Sequence, residues 1–175
     1  MKIIAAFALL ASAALIAPAA AQTKPARNCG DLPATFDGLV FEGDGDTVYG
    51  MGAPHPFRLW GVQAPELRPD KKIETVAGMR ARAAIDELLA GAHNHATAVP
   101  RKFDHWCRVV ATVRLAEGPD SGKDLALELV RQGLGYGFWL ADGRDPAESR
   151  AFVDAELQAR AARLGLWKEW LGEKP

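Results

Sequence analysis

The sequence predicts an α+β fold, a small five-stranded β-barrel with three α-helices in a single domain. Three observations carry this. Five short β-prone runs are separated by Gly, Pro and Asp clusters. Three longer segments have helical apolar spacing. The 175 residues suit one domain, with 49% apolar and 25% charged side chains supporting a core rather than disorder. There is no internal repeat and no low-complexity linker.

The first 21 residues are set aside before the fold is considered. Lys2, an apolar run from Ile3 to Ile16, and Ala19-Ala20-Ala21 before Gln22 describe a secretory signal peptide, too short for a comfortable membrane span. Residues 22–35 then form an N-terminal extension and 36–175 the folded domain. The expected product is secreted or periplasmic, without stable membrane association. In an oxidising compartment Cys29 and Cys107 read as a disulfide, as two separate thiols, or as a pair with one reactive thiol.

The elements follow in order. Phe36 to Tyr49 is a hairpin, with Asp44-Gly45 as its turn. Phe57 to Val62 is a third strand, with Arg58, Trp60 and Val62 on one face. Thr75 to Ala90 is a helix with an Ala81, Ile85, Leu88, Leu89 stripe, stopped by Gly91. Ala96–Phe103 and Arg108–Leu115 pair around Asp104–Cys107. Asp124 caps a helix over Leu125–Gln132. Asp145-Pro146-Ala147-Glu148 opens the last helix, which puts Phe152, Ala155, Ala159 and Ala162 on one face and ends near Gly165. Five strands with interleaved helices suit a barrel of the oligonucleotide-binding (OB) type.

With 21 basic and 22 acidic side chains the formal charge is −1. That excludes a protein that holds nucleic acid by counterion release over its whole surface. The charge is segregated, however. Residues 31–70 carry seven acids and two bases, and residues 71–114 carry eight bases and four acids.

Three pieces carry chemistry together: Asp44-Gly45-Asp46-Thr47, then Phe57-Arg58 through Pro65-Glu66, then Asp104-His105-Trp106-Cys107-Arg108. A carboxylate base, an acidic cation site and two guanidinium forks are a sensible set for phosphodiester cleavage. His93 and His95 also invite a metal reading, but no third ligand is evident.

These motifs, with Leu129–Leu134 and Ala162–Trp167, resemble the staphylococcal-nuclease-like (thermonuclease) family over roughly residues 36–170. The resemblance implies an OB-fold barrel and a calcium-dependent phosphodiesterase that cleaves the 5′ P–O bond of DNA and RNA. It implies that Arg58 and Arg108 bind the scissile phosphate and that Glu66 is the general base. It implies Ca²⁺ at Asp46 and the Ala64 carbonyl, with Asp44 in the outer shell. Gln63 stands where the family has a second metal-binding Asp, so calcium binding should be weakened. Trp106-Cys107 replace the family's Tyr-Gly, and Cys107 gives up glycine's freedom at positive φ. His105, Trp106 and Trp139 are candidate substrate contacts. The expected substrate is single-stranded or frayed DNA and RNA, and the expected state a monomer. The alternative is a catalytically weakened nuclease-fold module that binds nucleic acid or protein without efficient cleavage.

Overall fold

A computed structural model describes residues 28–67, 72–138 and 146–171. The expected signal peptide, Trp139 and Asp145 lie outside these residues.

Phe36–Asp44 (β1) and Thr47–Gly50 (β2) form the expected hairpin. Its register shifts between Glu42 and Asp44, so Gly43 is an extra residue and Asp44 comes to face Thr47. A bulge of this kind re-aims the side chains beside it. Phe57–Leu59 (β3) is shorter than expected. The chain turns at Trp60-Gly61, where Gly61 adopts φ +94°, and resumes as Val62–Gln63 (β4). The expected two-faced strand is therefore corrected: Phe57, Arg58, Leu59, Trp60 and Val62 are all buried.

Lys72–Gly91 (α1) follows and buries Ala81, Ile85 and Leu89. His95–Phe103 (β5) and Val109–Leu115 (β6) pair antiparallel. In Leu125–Arg131 (α2) the Asp124 carboxylate accepts the Ala126 and Leu127 N–H groups, satisfying donors that a helix start leaves free. Tyr136–Gly137 (β7) pairs with β4. Pro146–Ala161 (α3) buries Phe152, Ala155 and Ala159, while Ala162 lies beyond its end and is exposed.

Leu166–Trp170 (α4) is a further helix, making four among the described residues rather than three. Gly165 (φ +50°) ends the preceding segment, and the Leu166 N–H donates to the Gly133 carbonyl, so Leu166 and Trp167 are driven into the core.

The barrel closes in the order β1-β2-β3-β6-β5, with β4 and β7 as a separate two-stranded sheet. All pairings around the barrel are antiparallel except β3 with β6, where Arg58 lies opposite Val110. Val40, Val48, Phe57, Leu59 and Val113 join Ile85, Leu89, Leu125, Leu129 and Phe152 of the helices in one buried cluster. Each such side chain contributes about 1.5–3 kcal/mol on leaving water. The barrel and its core bring the β1–β2 turn, Arg58 of β3 and Arg108 just before β6 to one cleft. No described helix is long and apolar enough to cross a membrane.

Candidate active site

The site grows from the Asp44-Gly45-Asp46 turn. The Asp44 carboxylate accepts the Asp46 N–H at 3.0 Å, which fixes the turn. A Cβ on Gly45 would stand 2.7 Å from the Ala64 Cβ and 2.9 Å from that of Ala81. Only glycine lets the turn come this close to α1 and to the loop after β4 at once. Asp46 is thereby buried at 6% exposure, and its Oδ2 accepts the Ala64 N–H at 2.9 Å.

Arg58 enters from β3 and is nearly as buried. Its Nη2 pairs with Asp46 Oδ2 at 2.9 Å and donates to Gln63 Oε1 at 2.9 Å. Its Nη1 donates to the carbonyls of Leu59 and Val62, each at 2.8 Å. The turn at Trp60-Gly61 explains this geometry, because it brings the Val62 carbonyl back over the strand it has just left. Both Nη groups are engaged by the protein. Burial pushes the Asp46 carboxyl up to about 6, against the pull of Arg58 and the Ala64 N–H. Burial likewise holds Arg58 below its ordinary value, against the pull of Asp46. Two opposite charges have been withdrawn from water together.

Arg108 is delivered by the Asp104–Cys107 turn. Asp104 Oδ1 accepts the Trp106 and Arg108 N–H groups, each at 2.9 Å, and Oδ2 accepts Arg108 Nε at 2.6 Å. Burial raises the Asp104 pKa, but the hydrogen bonds from Arg108 and Trp106 outweigh it and leave the carboxyl below its ordinary value. Arg108 Nη1 reaches Thr47 Oγ1 at 3.3 Å, and Nη2 has no protein acceptor among the described residues. The two arginines thus differ. Arg58 is bound up in the protein, and Arg108 presents donors to the cleft.

Cys107 takes φ +65°, the left-handed conformation of the glycine it resembles in position, and is bonded to Cys29. Of the three readings left open by sequence, the structure has the disulfide.

Arg58, Arg108, Glu66, Asp44, Asp46, Gln63, Ala64 and Trp106 line one cleft of about 320 Å³. Glu66 is solvent-exposed on the loop after β4. His105 stacks on Trp106, with ring centroids 3.2 Å apart, and belongs to an adjoining cleft of about 440 Å³. That cleft adds aromatic residues which sequence reasoning missed, Trp60, Phe103 and Phe138. Arg101 and Lys102 lie over the Trp60 ring at 5.1 and 5.4 Å. Trp106 and Phe138 are exposed there and suit stacked bases, whereas Trp60 is buried. Asp104 and Thr47 were also missed as site residues. The spacing of Asp104, four residues before Arg108, was the available signal. His95 is not joined by His93: its ring bonds Glu117 at 2.7 Å.

The oxygens do not fit a calcium ion. Asp46 Oδ2 already accepts two N–H groups, Gln63 Oε1 accepts Arg58, and the Ala64 carbonyl accepts Gln63 Nε2 at 3.0 Å. Calcium takes six to eight oxygens, several of them charged. No group of three or more His, Cys, Asp and Glu able to hold a metal occurs among the described residues.

A closed barrel with two arginines and a carboxylate lining one cleft is the arrangement that the family resemblance implies. The sequence model of the family described as staphylococcal nuclease homologue matches residues 56–169, more than half of the chain, and the chain belongs to that family. The match takes in Arg58, Gln63, Glu66 and Arg108, while Asp44 and Asp46 precede it. The chain is also similar to a protein named "Probable endonuclease LCL3" from Arthroderma otae (strain ATCC MYA-4605 / CBS 113480). The two are 30% identical over 114 residues, 63% of this chain and 40% of that relative.

Proposed function

We propose that the protein is an exported nuclease that hydrolyses phosphodiester bonds in single-stranded or frayed DNA and RNA, and that it acts as a monomer. The observation that carries this is that Glu66, Arg58 and Arg108, from three separate segments, line one cleft. Glu66 takes a proton from water, whose oxygen attacks phosphorus in line. The bond from phosphorus to the 5′ oxygen breaks, and that oxygen takes a proton from solvent. Arg108 donates to the phosphate oxygens, and Arg58 supplies fixed positive charge beneath them. Such preorganised charge acts without reorganising as the phosphorane forms. The mature protein begins at about Gln22, which the mass of the exported product would check.

The deciding experiment is digestion of single-stranded DNA and of RNA by the wild type, in calcium and in chelator, beside Glu66→Gln. The wild type degrades strand, and the variant loses about 10²- to 10⁴-fold in rate, the usual worth of a general base. Folded wild type that cleaves neither strand under either condition would sink this reading. The second reading, a module that binds nucleic acid or protein without efficient cleavage, draws on the engagement of both Arg58 Nη groups by protein acceptors. Strand binding without cleavage would select it.

A further inference from the structure

We infer that Arg58 is the resident cation of this cleft, and that the site binds the phosphate of a nucleic acid strand without a divalent metal. The inference rests on the nuclease reading for the identity of its ligand.

Gln63 decides how the acceptors of the cleft are satisfied. With Asp at this position, the side chain would have no donor to give the Ala64 carbonyl, and two acceptors would face each other there. A bridging cation relieves that repulsion. Here the amide supplies the donor itself. Gln63 Nε2 donates to the Ala64 carbonyl at 3.0 Å, and Oε1 accepts Arg58 Nη2 at 2.9 Å. One uncharged side chain therefore links the Arg58 guanidinium to the Ala64 carbonyl.

Asp46 completes the closure. Its Oδ2 lies 2.9 Å from both Arg58 Nη2 and the Ala64 N–H. The negative charge that would attract a cation is matched by an arginine almost as buried, with 11% side-chain exposure against 9% for Asp46. For calcium to take Asp46 Oδ2, Gln63 Oε1 and the Ala64 carbonyl, it would have to displace Arg58–Asp46, Arg58–Gln63 and Gln63–Ala64. A hard cation gains little from the neutral amide left behind. Phosphate breaks none of these bonds, although the Asp44 and Glu66 carboxylates share the cleft with it. Arg108 keeps Nη2 for it, and the remaining cleft wall carries the Arg58 charge.

The test uses protein stripped with chelator, and Glu66→Gln where strand must survive the titration. Hexathymidylate is titrated calorimetrically in chelator and in calcium. The expected dissociation constants agree within about threefold, since the phosphate contacts are guanidinium N–H groups in both. Calcium alone is then titrated into wild type and Gln63→Asp. The variant is expected to bind at least about 30-fold more tightly, because it restores a charged oxygen ligand. Loss of hexathymidylate binding in chelator, or wild-type calcium affinity equal to that of Gln63→Asp, overturns the inference. The wild-type arm needs no variant to fold.

The two readings fail differently. Cleavage that strictly requires calcium overturns the metal-free site and leaves the nuclease standing. Strand binding in chelator with no cleavage under any condition supports the metal-free site and overturns the nuclease.

Discussion

Cys107 is joined to Cys29 across 78 positions of sequence, and the backbone it holds at φ +65° belongs to the residue immediately before Arg108. A β-carbon in this region costs about 1 kcal/mol or more, and such a conformation persists only where its surroundings impose it. Here the cross-link and the hydrogen bonds of Asp104 both impose it.

Stability and positioning can be separated at this turn. Cys29→Ser alone should lose about 4 kcal/mol of stability, from the loop the cross-link closes. It should also weaken strand binding, because Cys107 is then free to leave the left-handed region. Cys29→Ser with Cys107→Gly should be similarly unstable yet bind strand like the wild type, since glycine keeps the turn without a cross-link. Urea unfolding and calorimetric binding read the two effects. Equal binding loss in both variants would show that the turn does not govern Arg108.

Asp104 is a positioning residue for Arg108. Asp104→Asn keeps one oxygen for the two backbone N–H groups but loses the acceptor for Arg108 Nε. The expected result is about a tenfold fall in kcat/KM, the scale of one charge-assisted hydrogen bond, with little change in urea midpoint. Asp104→Ala should fall further and lose stability as well. Steady-state cleavage assays check both.

The buried pair should make Arg58 a stability residue as much as a functional one. Arg58→Met leaves Asp46 buried without its partner and should cost about 3–5 kcal/mol. Adding Asp46→Asn removes the stranded charge and should recover part of that loss. A double-mutant cycle in urea measures the coupling, and simple additivity would show that the pair is not coupled.

Asp46 also predicts a pH dependence. Its carboxyl is raised from 3.8 to about 6 in the folded protein, facing Arg58, the Ala64 N–H, Asp44 and Arg108. Between those values the folded state holds a proton that the unfolded chain has released, so stability falls as pH rises through this window. The full loss, about 3 kcal/mol, is in place above about pH 6. Relative to Asp46→Asn, which does not titrate, the wild type should therefore weaken from about pH 4 to pH 6. A difference that stays flat in urea titrations would show an ordinary carboxyl.

Much of this was legible in the chain because local chemistry and tertiary structure agree. Asp124 caps α2 as a side-chain acceptor before an apolar helix should. Arg58, Glu66 and Arg108 were marked by motif and do share a cleft. What stayed hidden depends on contacts between distant residues. The strand from Phe57 breaks at Trp60-Gly61 because β4 has a separate partner in β7, more than seventy residues away in sequence. The short α4 follows from two buried side chains after Gly165, not from helical periodicity. Gln63 read as a weakened ligand. Its actual role, a donor to one neighbour and an acceptor from another, needs the positions of both.

The parallel seam between β3 and β6 is three residue pairs long, and Arg58 is in the middle pair. This short clasp joins the half of the barrel that carries Arg58 to the half whose β6 follows directly from Arg108. Phe57, Leu59, Val109 and Ala111 of the seam are themselves core residues, so fraying it opens the core and separates the two guanidinium groups together. Hydrogen-exchange opening at Val109 and Ala111 therefore sets an upper limit on how long the geometry of the cleft lasts. A partly folded chain with an open seam has the right residues and no working site.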